Sequence, residues 1–599
     1  MRMFSSKIHG SFLSLILGLV TATQGAQLVR HDNSFVPNHV LRVTAEDYSQ
    51  ACMERYSVLV NGSFPGPELR LQEDETSWIR VYNDMEDANV TMHWHGLTAF
   101  TAPFSDGTPA ASQWPIPPGH FFDYEVHPEA GYAGTYFYHS HIGFQAVSAA
   151  GPLIVEAAEP PPYEYDEERI IALSDFFLKT DEEIEEGLTS SNFEWSGDSL
   201  AILVNGKGLP AGGSTGSCEL AAIDIEPGKT YRLRFIGATA LSFLWVGLEG
   251  HEMSIIEADG HYTQPVESEF LQIGSGQRYS VLLKAKTEEE LQESDKQHFY
   301  LQMSTLEDPN KLTSFAVLQY PSSNPADLTT TPSSPPFPEP TLTSGWLDYE
   351  LQPLNPDPDF PTLEEVTRRI IITAHQNVSD HIVWLQSGYD WVETFPSSPY
   401  LVDMYKGKLD LDAIYDRAIS NGNGFDNITR IFPAQMDEVI EIIWQNQGGV
   451  SDGSVQSHPF HGHGRHFYDI GGGDGSYDVD KNEERLKNSE PVTRDTTMLY
   501  GYRTKTDPLA PSGWRGWRLR VTDAGVWMMH CHILHHMVMG MQTVFIFGNE
   551  EDIASQSGPV NDGYLTYGGD SVGNDGRAPV VRHFFGQGNA RFRRSSWAR

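Results

Sequence analysis

His530-Cys531-His532-Ile533-Leu534-His535-His536, with Met541 following it, is the stretch from which the rest of the chain can be read. On a β-strand, residues i and i+2 project from one face and i+1 from the other, so His530 and His532 share a side while Cys531 points away from both. One short peptide can therefore touch two sites. The same spacing recurs at His93-Trp94-His95, His139-Ser140-His141 and His461-Gly462-His463. With 23 His in 599 residues, chance placement gives about one such pair, so four together carry weight that a single surface or core pair would not. Imidazole is the commonest metal ligand. Two pairs from the N-terminal part and two from the C-terminal part can enclose several metal ions between those parts.

Cys531 has further companions. His458 opens His458-Pro459-Phe460-His461, and His536 and Met541 follow the cysteine. Two imidazoles, a thiolate and a weak axial thioether are the ligands of a blue electron-transfer copper. A zinc site is four-coordinate and would leave most of the imidazoles without a role, and Met541 as plain core filler is the simpler alternative for that residue.

The remaining composition frames these sites. A chain of 599 residues exceeds what one core organises, and 54 Gly with 37 Pro suit a turn-rich β architecture. A net charge of −41 repels phosphate backbones and anionic lipid, so nucleic acid is excluded as a partner. The acidic runs Asp181 to Glu186 and Glu288 to Glu290 read as solvated surface rather than cation loops. Arg2 and Lys7, the apolar stretch Phe12 to Val20 and the small residues Ala22 to Ala26 have the form of a secretory signal. That apolar run is too short for a membrane anchor. The expected product is secreted, extracellular or in the cell wall, without membrane attachment, and sequons at Asn61, Asn89, Asn377 and Asn427 suit that route. Because Cys531 belongs to the histidine cluster, Cys52 and Cys218 remain as one disulfide or as two buried thiols.

β-rich runs bounded by turns (Ser57 to Val60, Trp78 to Tyr82, Gly151 to Val155) place a first sandwich at residues 26–160, after a signal at 1–25. Ile170 to Leu173, Ala201 to Val204, Tyr231 to Ile236, Met253 to Glu257 and Tyr279 to Leu283 place a second at 161–320, which holds no clustered histidines. A Pro-rich linker at 321–363 leads to a third domain at 364–550, and the Gly-rich tail at 551–599 gives no folding signal.

HWHG at His93, SDGTPAASQWPIPPG at Ser105 to Gly119, GTYFYHSHIGFQ at Gly134 to Gln145, HPFHGHGRHF at His458 to Phe467 and HCHILHHMVMGM at His530 to Met541 resemble the multicopper oxidases, in particular their fungal laccase-like members. The resemblance covers roughly residues 45 to 550, with all four copper motifs in order. It implies an all-β fold of three cupredoxin-like Greek-key β-sandwich domains and four copper ions. The type 1 ion would sit in the third domain on His458, Cys531, His536 and Met541. The cluster between first and third domains would have its type 2 ion on His93 and His461, and its type 3 pair on His95, His139, His141, His463, His530 and His532. A phenolic substrate would lose single electrons through Cys531, and O₂ would be reduced to water, with Asp106 as a proton donor. Asp106-Gly107 as a simple turn is the alternative.

The chain departs from that pattern in places. Several laccases carry a bridged Cys pair where Trp114 and Ala240 stand here, and a carboxylate that takes the phenolic proton where Leu241 stands. Arg465-His466 lies beyond the ligand pattern and is given no metal role. The expected activity is oxidation of phenols, including coupling of aromatic precursors into pigment or other secondary metabolites. The competing functions are a ferroxidase, for which no tether is visible, and a non-catalytic copper-binding cupredoxin, for which eroded ligand sets would be expected.

Overall fold

The computed structural model describes residues 27–585 apart from 214–217, 308–309, 324–325, 341–346 and 559. The secretory-signal reading lies outside these residues. Strand Ser77–Asn83 shows how the local pattern builds the sheets: its residues alternate between buried and half-buried along their whole length, one face to the core and one toward the surface. Gly525–Cys531, by contrast, is buried at every position, as expected of a central strand covered on both faces.

Six of the sheets pair into three sandwiches. The second and third repeat one topology strand for strand, a six-stranded sheet against a five-stranded one. In each sandwich the long early strand runs parallel to a later one: His39–Gln50 with Ser77–Asn83, Glu167–Phe176 with Thr230–Gly237, and Arg368–Val378 with Val439–Gln447. These crossovers are the Greek-key element that short hairpins alone cannot supply.

The first sandwich is smaller, with sheets of five and four strands, and it borrows one of them. Val572–Asn574 pairs antiparallel with His120–Val126, at the place that Met253–Ala258 fills beside Arg278–Lys284 in the second sandwich. Val580–His583 pairs with Gln27–Arg30. The C-terminal stretch is thus built into the first domain as far as Phe585, whose amide and that of Phe584 donate to Glu125 at 3.0 and 2.6 Å. Strands of three and four residues carry too little periodicity to be seen in sequence; their pairing comes from a sheet more than 400 residues away. The Pro-rich segment is likewise more than a spacer: Leu347 and Leu351 are buried in the second core. Cys52 and Cys218 form a disulfide between the first and second domains.

Candidate metal centres

The strand pairings bring the histidine pairs together two by two. In the first domain His93–His95 lies antiparallel to Gly134–His139, with His93 opposite His139. In the third, His458–Gly462 lies beside Gly525–Cys531, with His461 opposite His530 and Phe460 opposite Cys531. Each pair sits at or just past a strand end, where the rings face the other domain. His95 stacks on His461 with ring centres 3.7 Å apart, His93 stacks on His463 at 3.9 Å, and His139 approaches His532, as His141 approaches His530, at 5.2 Å.

Among the described residues four buried triads of histidine and cysteine result: His93, His95 and His461; His95, His139 and His532; His141, His463 and His530; and His458, Cys531 and His536. A fifth group sets Asp106 beside His93 and His463, and in each the donor atoms lie within 4.8 Å of one another. In the Cys531 triad, the two Nδ1 atoms are 3.1 Å apart and each is 3.7 Å from Cys531 Sγ. Met541 is fully buried, and its carbonyl accepts from the Cys531 amide at 3.1 Å.

The hydrogen bonds decide what these rings can hold. His93 and His461 donate through Nδ1 to the carbonyls of Asp106 and Asp495, at 2.6 and 3.0 Å. Their Nε2 lone pairs then face each other at 3.4 Å with no proton between them. His463 and His530 repeat this: Nδ1 donates to Asp106 Oδ2 at 3.1 Å and to the Cys531 carbonyl at 3.0 Å, and the Nε2 atoms meet at 3.3 Å. Nδ1 of His139 reaches the Ser140 carbonyl and Nδ1 of His532 reaches Ser275 Oγ, while His95 uses Nε2 toward Asp495. On those rings and on His141 the other nitrogen, His95 Nδ1 and Nε2 of His139, His141 and His532, is buried without a hydrogen-bond partner. Lone pairs converging in a dry cavity are costly unless a cation sits among them. The donor set, imidazoles with one thiol, fits copper.

Electrostatics keep the rings in ligand form. Burial first, then the neighbouring imidazoles, hold His93, His463, His530 and His532 well below the usual histidine range, and burial lowers His139 to about 3. Burial pushes the Cys531 thiol up, so a metal must displace its proton. Asp106 is buried against His463 and accepts from Thr108; burial raises its carboxyl to about 6.

Several contributing residues have no signal in the sequence reading. Trp384 covers the Cys531 site, its ring 4.9 Å from His458 and 4.4 Å from His536. Glu393 lies 3.3 Å from His141 Nδ1 and accepts from the Gly143 amide at 2.9 Å. The second domain, which has no histidine pair, supplies a turn at Ser275-Gly276: Ser275 bonds His532, and a Cβ on Gly276 would come within 3.0 Å of His95. Arg278 then clamps Asp495 with two bonds of 2.6 and 2.5 Å. Burial would raise the Asp495 carboxyl, but Arg278 holds it well below the usual range. Leu241 is half-buried against the core that contains Cys531 and Met541, on a turn whose three amides, Ala240 to Ser242, donate to Asp175. Trp114 lies in a different core from Ala240.

Family models described as multicopper oxidase match residues 42–160, 167–323 and 393–551, one to each sandwich. The chain is 44% identical to laccase-like multicopper oxidase 1 of Thermothelomyces thermophilus, over 97% of each chain. It is 42% identical to multicopper oxidase aurL2 of Gibberella zeae, over 93% of this chain and 96% of that one. Among solved structures, Fet3p, described as a multicopper oxidase that functions in iron import, superposes with a TM-score of 0.68 at 22% identity, covering 91% of this chain and 99% of that one, a likeness of fold. The chain belongs to the multicopper oxidase family. It is an oxidase whose cofactor is copper of types 1, 2 and 3, and its described residues form the cupredoxin-like sandwiches of that family.

Proposed function

We propose that this protein is a secreted laccase-like oxidase that removes single electrons from phenolic compounds at the Cys531 site and reduces O₂ to water at the eight-histidine cluster. The observation that carries the reading is the division of one peptide among three triads: Cys531 belongs to one, His530 to a second and His532 to a third. Copper, when bound, supplies one-electron exchange at the first site and four-electron reduction at the cluster. His458, Cys531, His536 and Met541 would hold the type 1 ion, and His93 and His461 the type 2 ion. His95, His139, His141, His463, His530 and His532 would hold the type 3 pair.

The chain's own residues do the rest. Cys531 and its neighbours join the sites covalently, so no gap interrupts the electron path. Trp384 excludes water from the mononuclear site. Asp106, against His463 and shut off from solvent, is placed to give a proton to the cluster. Leu241, half-buried against the core that contains Cys531 and Met541, offers no carboxylate there, which favours phenols acidic enough to lose their proton unaided. Among the described residues no helix is long and apolar enough to cross a membrane.

Oxygen uptake by the copper-loaded protein against a panel of phenols, aromatic polyketides, ascorbate and Fe²⁺ tests the reading. Phenols should drive uptake with water as the product. Uptake with Fe²⁺ alone would overturn it.

A further inference from the structure

Among the described residues the second domain contributes no side chain to the metal triads, yet one of its carboxylates is tied to both kinds of site. Asp175 is buried near the end of strand Glu167–Phe176. That strand runs parallel to Thr230–Gly237 with Leu173 opposite Gly237, so Asp175 stands two residues past the last partner, level with the turn that follows. Its Oδ2 accepts from the Ala240 and Leu241 amides at 2.8 Å and from the Ser242 amide at 3.0 Å. Its Oδ1 accepts from the Ser242 hydroxyl at 2.5 Å. Three successive amides on one oxygen form a nest closed by an anion. The Thr239 hydroxyl donates to the Ser242 carbonyl at 2.8 Å and completes the turn.

Two carbonyls of this turn face the ligand peptide. The Ala240 carbonyl accepts from the Leu534 amide at 2.9 Å, at the first residue of the helix Leu534–Val538 that carries His536. The Thr239 carbonyl accepts from Ser275 Oγ, which itself accepts from His532 Nδ1 at 2.9 Å. The Gly276 amide donates to the Gly237 carbonyl at 2.7 Å, tying the Ser275 turn to the same strand end. Thr239, Ala240, Ser242 and Ser275 are all buried. The peptide that follows Cys531 is thus gripped twice by one turn, at His532 for the cluster and at Leu534 for the Cys531 site. Without the carboxylate the turn would hold buried amides that have lost their acceptor, and it would have to rearrange.

We propose that Asp175 is a positioning residue for both metal sites: by fixing the Thr239–Ser242 turn it sets the ring of His532 in the cluster and the start of the helix that carries His536. It acts through the two carbonyls and bonds no ligand ring itself. The two branches are unequal. His532 is oriented through one hydroxyl, so its ring follows the turn directly. His536 is held by its helix and its own core as well, so that site should keep its copper and register the turn only as a small shift. The inference rests on the ligand assignment proposed above.

The test uses Asp175→Ala, which removes the acceptors, and Asp175→Asn, whose carbonyl can accept from the three amides while its amino group donates to the Ser242 hydroxyl. In copper-loaded Asp175→Ala the type 3 pair should be uncoupled or lose an ion, read as a new paramagnetic signal and by copper analysis. The type 1 signal should keep its intensity with an altered hyperfine splitting. Asp175→Asn should restore both to wild type. Ser275→Ala, which cuts only the branch to His532, should reproduce the cluster change with an unaltered type 1 signal, and it tests that branch even if Asp175→Ala does not fold. Leu233→Ala, in the core of the same domain, controls for plain loss of stability, followed by denaturant unfolding, and should leave both signals unchanged. Wild-type signals in folded Asp175→Ala, an Asn variant as damaged as the Ala one, a wild-type cluster in Ser275→Ala, or the same changes in Leu233→Ala would each overturn the proposal. Wild-type protein that takes up copper without blue absorption would instead overturn the ligand assignment.

Discussion

The Cys531 site is contained in one sandwich, whereas the eight-histidine cluster is divided between two and braced by a third. Its neighbours His458 and His536 come from a strand and a short helix of the same domain, and the three donor atoms lie within 3.7 Å of one another. At the cluster, His95 of the first domain is held by Asp495 of the third, which is clamped by Arg278 of the second. A site within one core keeps its geometry as long as that core is folded. A site at an interface also needs its domains docked, and a buried ion pair there gives orientation more than stability.

The contrast can be broken most sharply at Cys531. Cys531→Ser is expected to abolish the intense visible absorption of a copper–thiolate bond and all substrate oxidation while the protein stays folded, because an oxygen ligand cannot replace soft sulfur. Absorption and circular dichroism check this; a blue, folded mutant would remove Cys531 from the site. His139→Ala should do the opposite, keeping the colour and stopping O₂ consumption, since His139 belongs to a cluster triad and not to that of Cys531. An oxygen electrode and copper analysis on one preparation decide it.

Arg278→Ala probes the bracing from the second domain. It leaves the Asp495 carboxylate buried without its guanidinium partner, bonded only to neutral groups such as His95 and Thr496, at a cost of about 3–5 kcal/mol. Copper should be lost from the cluster before the blue site, as seen by electron paramagnetic resonance alongside denaturant unfolding. Equal loss at both sites would mean that the interface does not distinguish them. The smallest expected effect is at Leu241, beside the core that holds Cys531: Leu241→Asp should raise activity on weakly acidic phenols by up to about tenfold relative to a non-phenolic donor. Phenol and non-phenol rates that change by one factor would show that proton removal there is not limiting.

Strand alternation made the two-sided nature of His530-Cys531-His532 readable, because a period of two is local. The strand runs such as Trp78 to Tyr82 and Tyr279 to Leu283 were legible for the same reason, and they lie within Ser77–Asn83 and Arg278–Lys284. Ser275, Arg278, Trp384 and Glu393 were not, since nothing in their neighbourhoods differs from ordinary turn or strand sequence. The Val572–Asn574 strand was missed for lack of length.

The sequence by itself determined which side chains were available and in what local order: eight paired histidines, a cysteine between two of them, and β-runs enough for three sandwiches. Only the tertiary structure decided which nitrogen of each ring faces the cavity and which domain orients it. For His139 and His530 the acceptor is the carbonyl of the next residue, but for His95 and His532 it is brought in from afar, Asp495 lying 400 residues from His95 and Ser275 lying 257 from His532. A hydrogen bond between such partners has no local precursor in the chain; it exists once the three cores have packed and excluded water from the space between them.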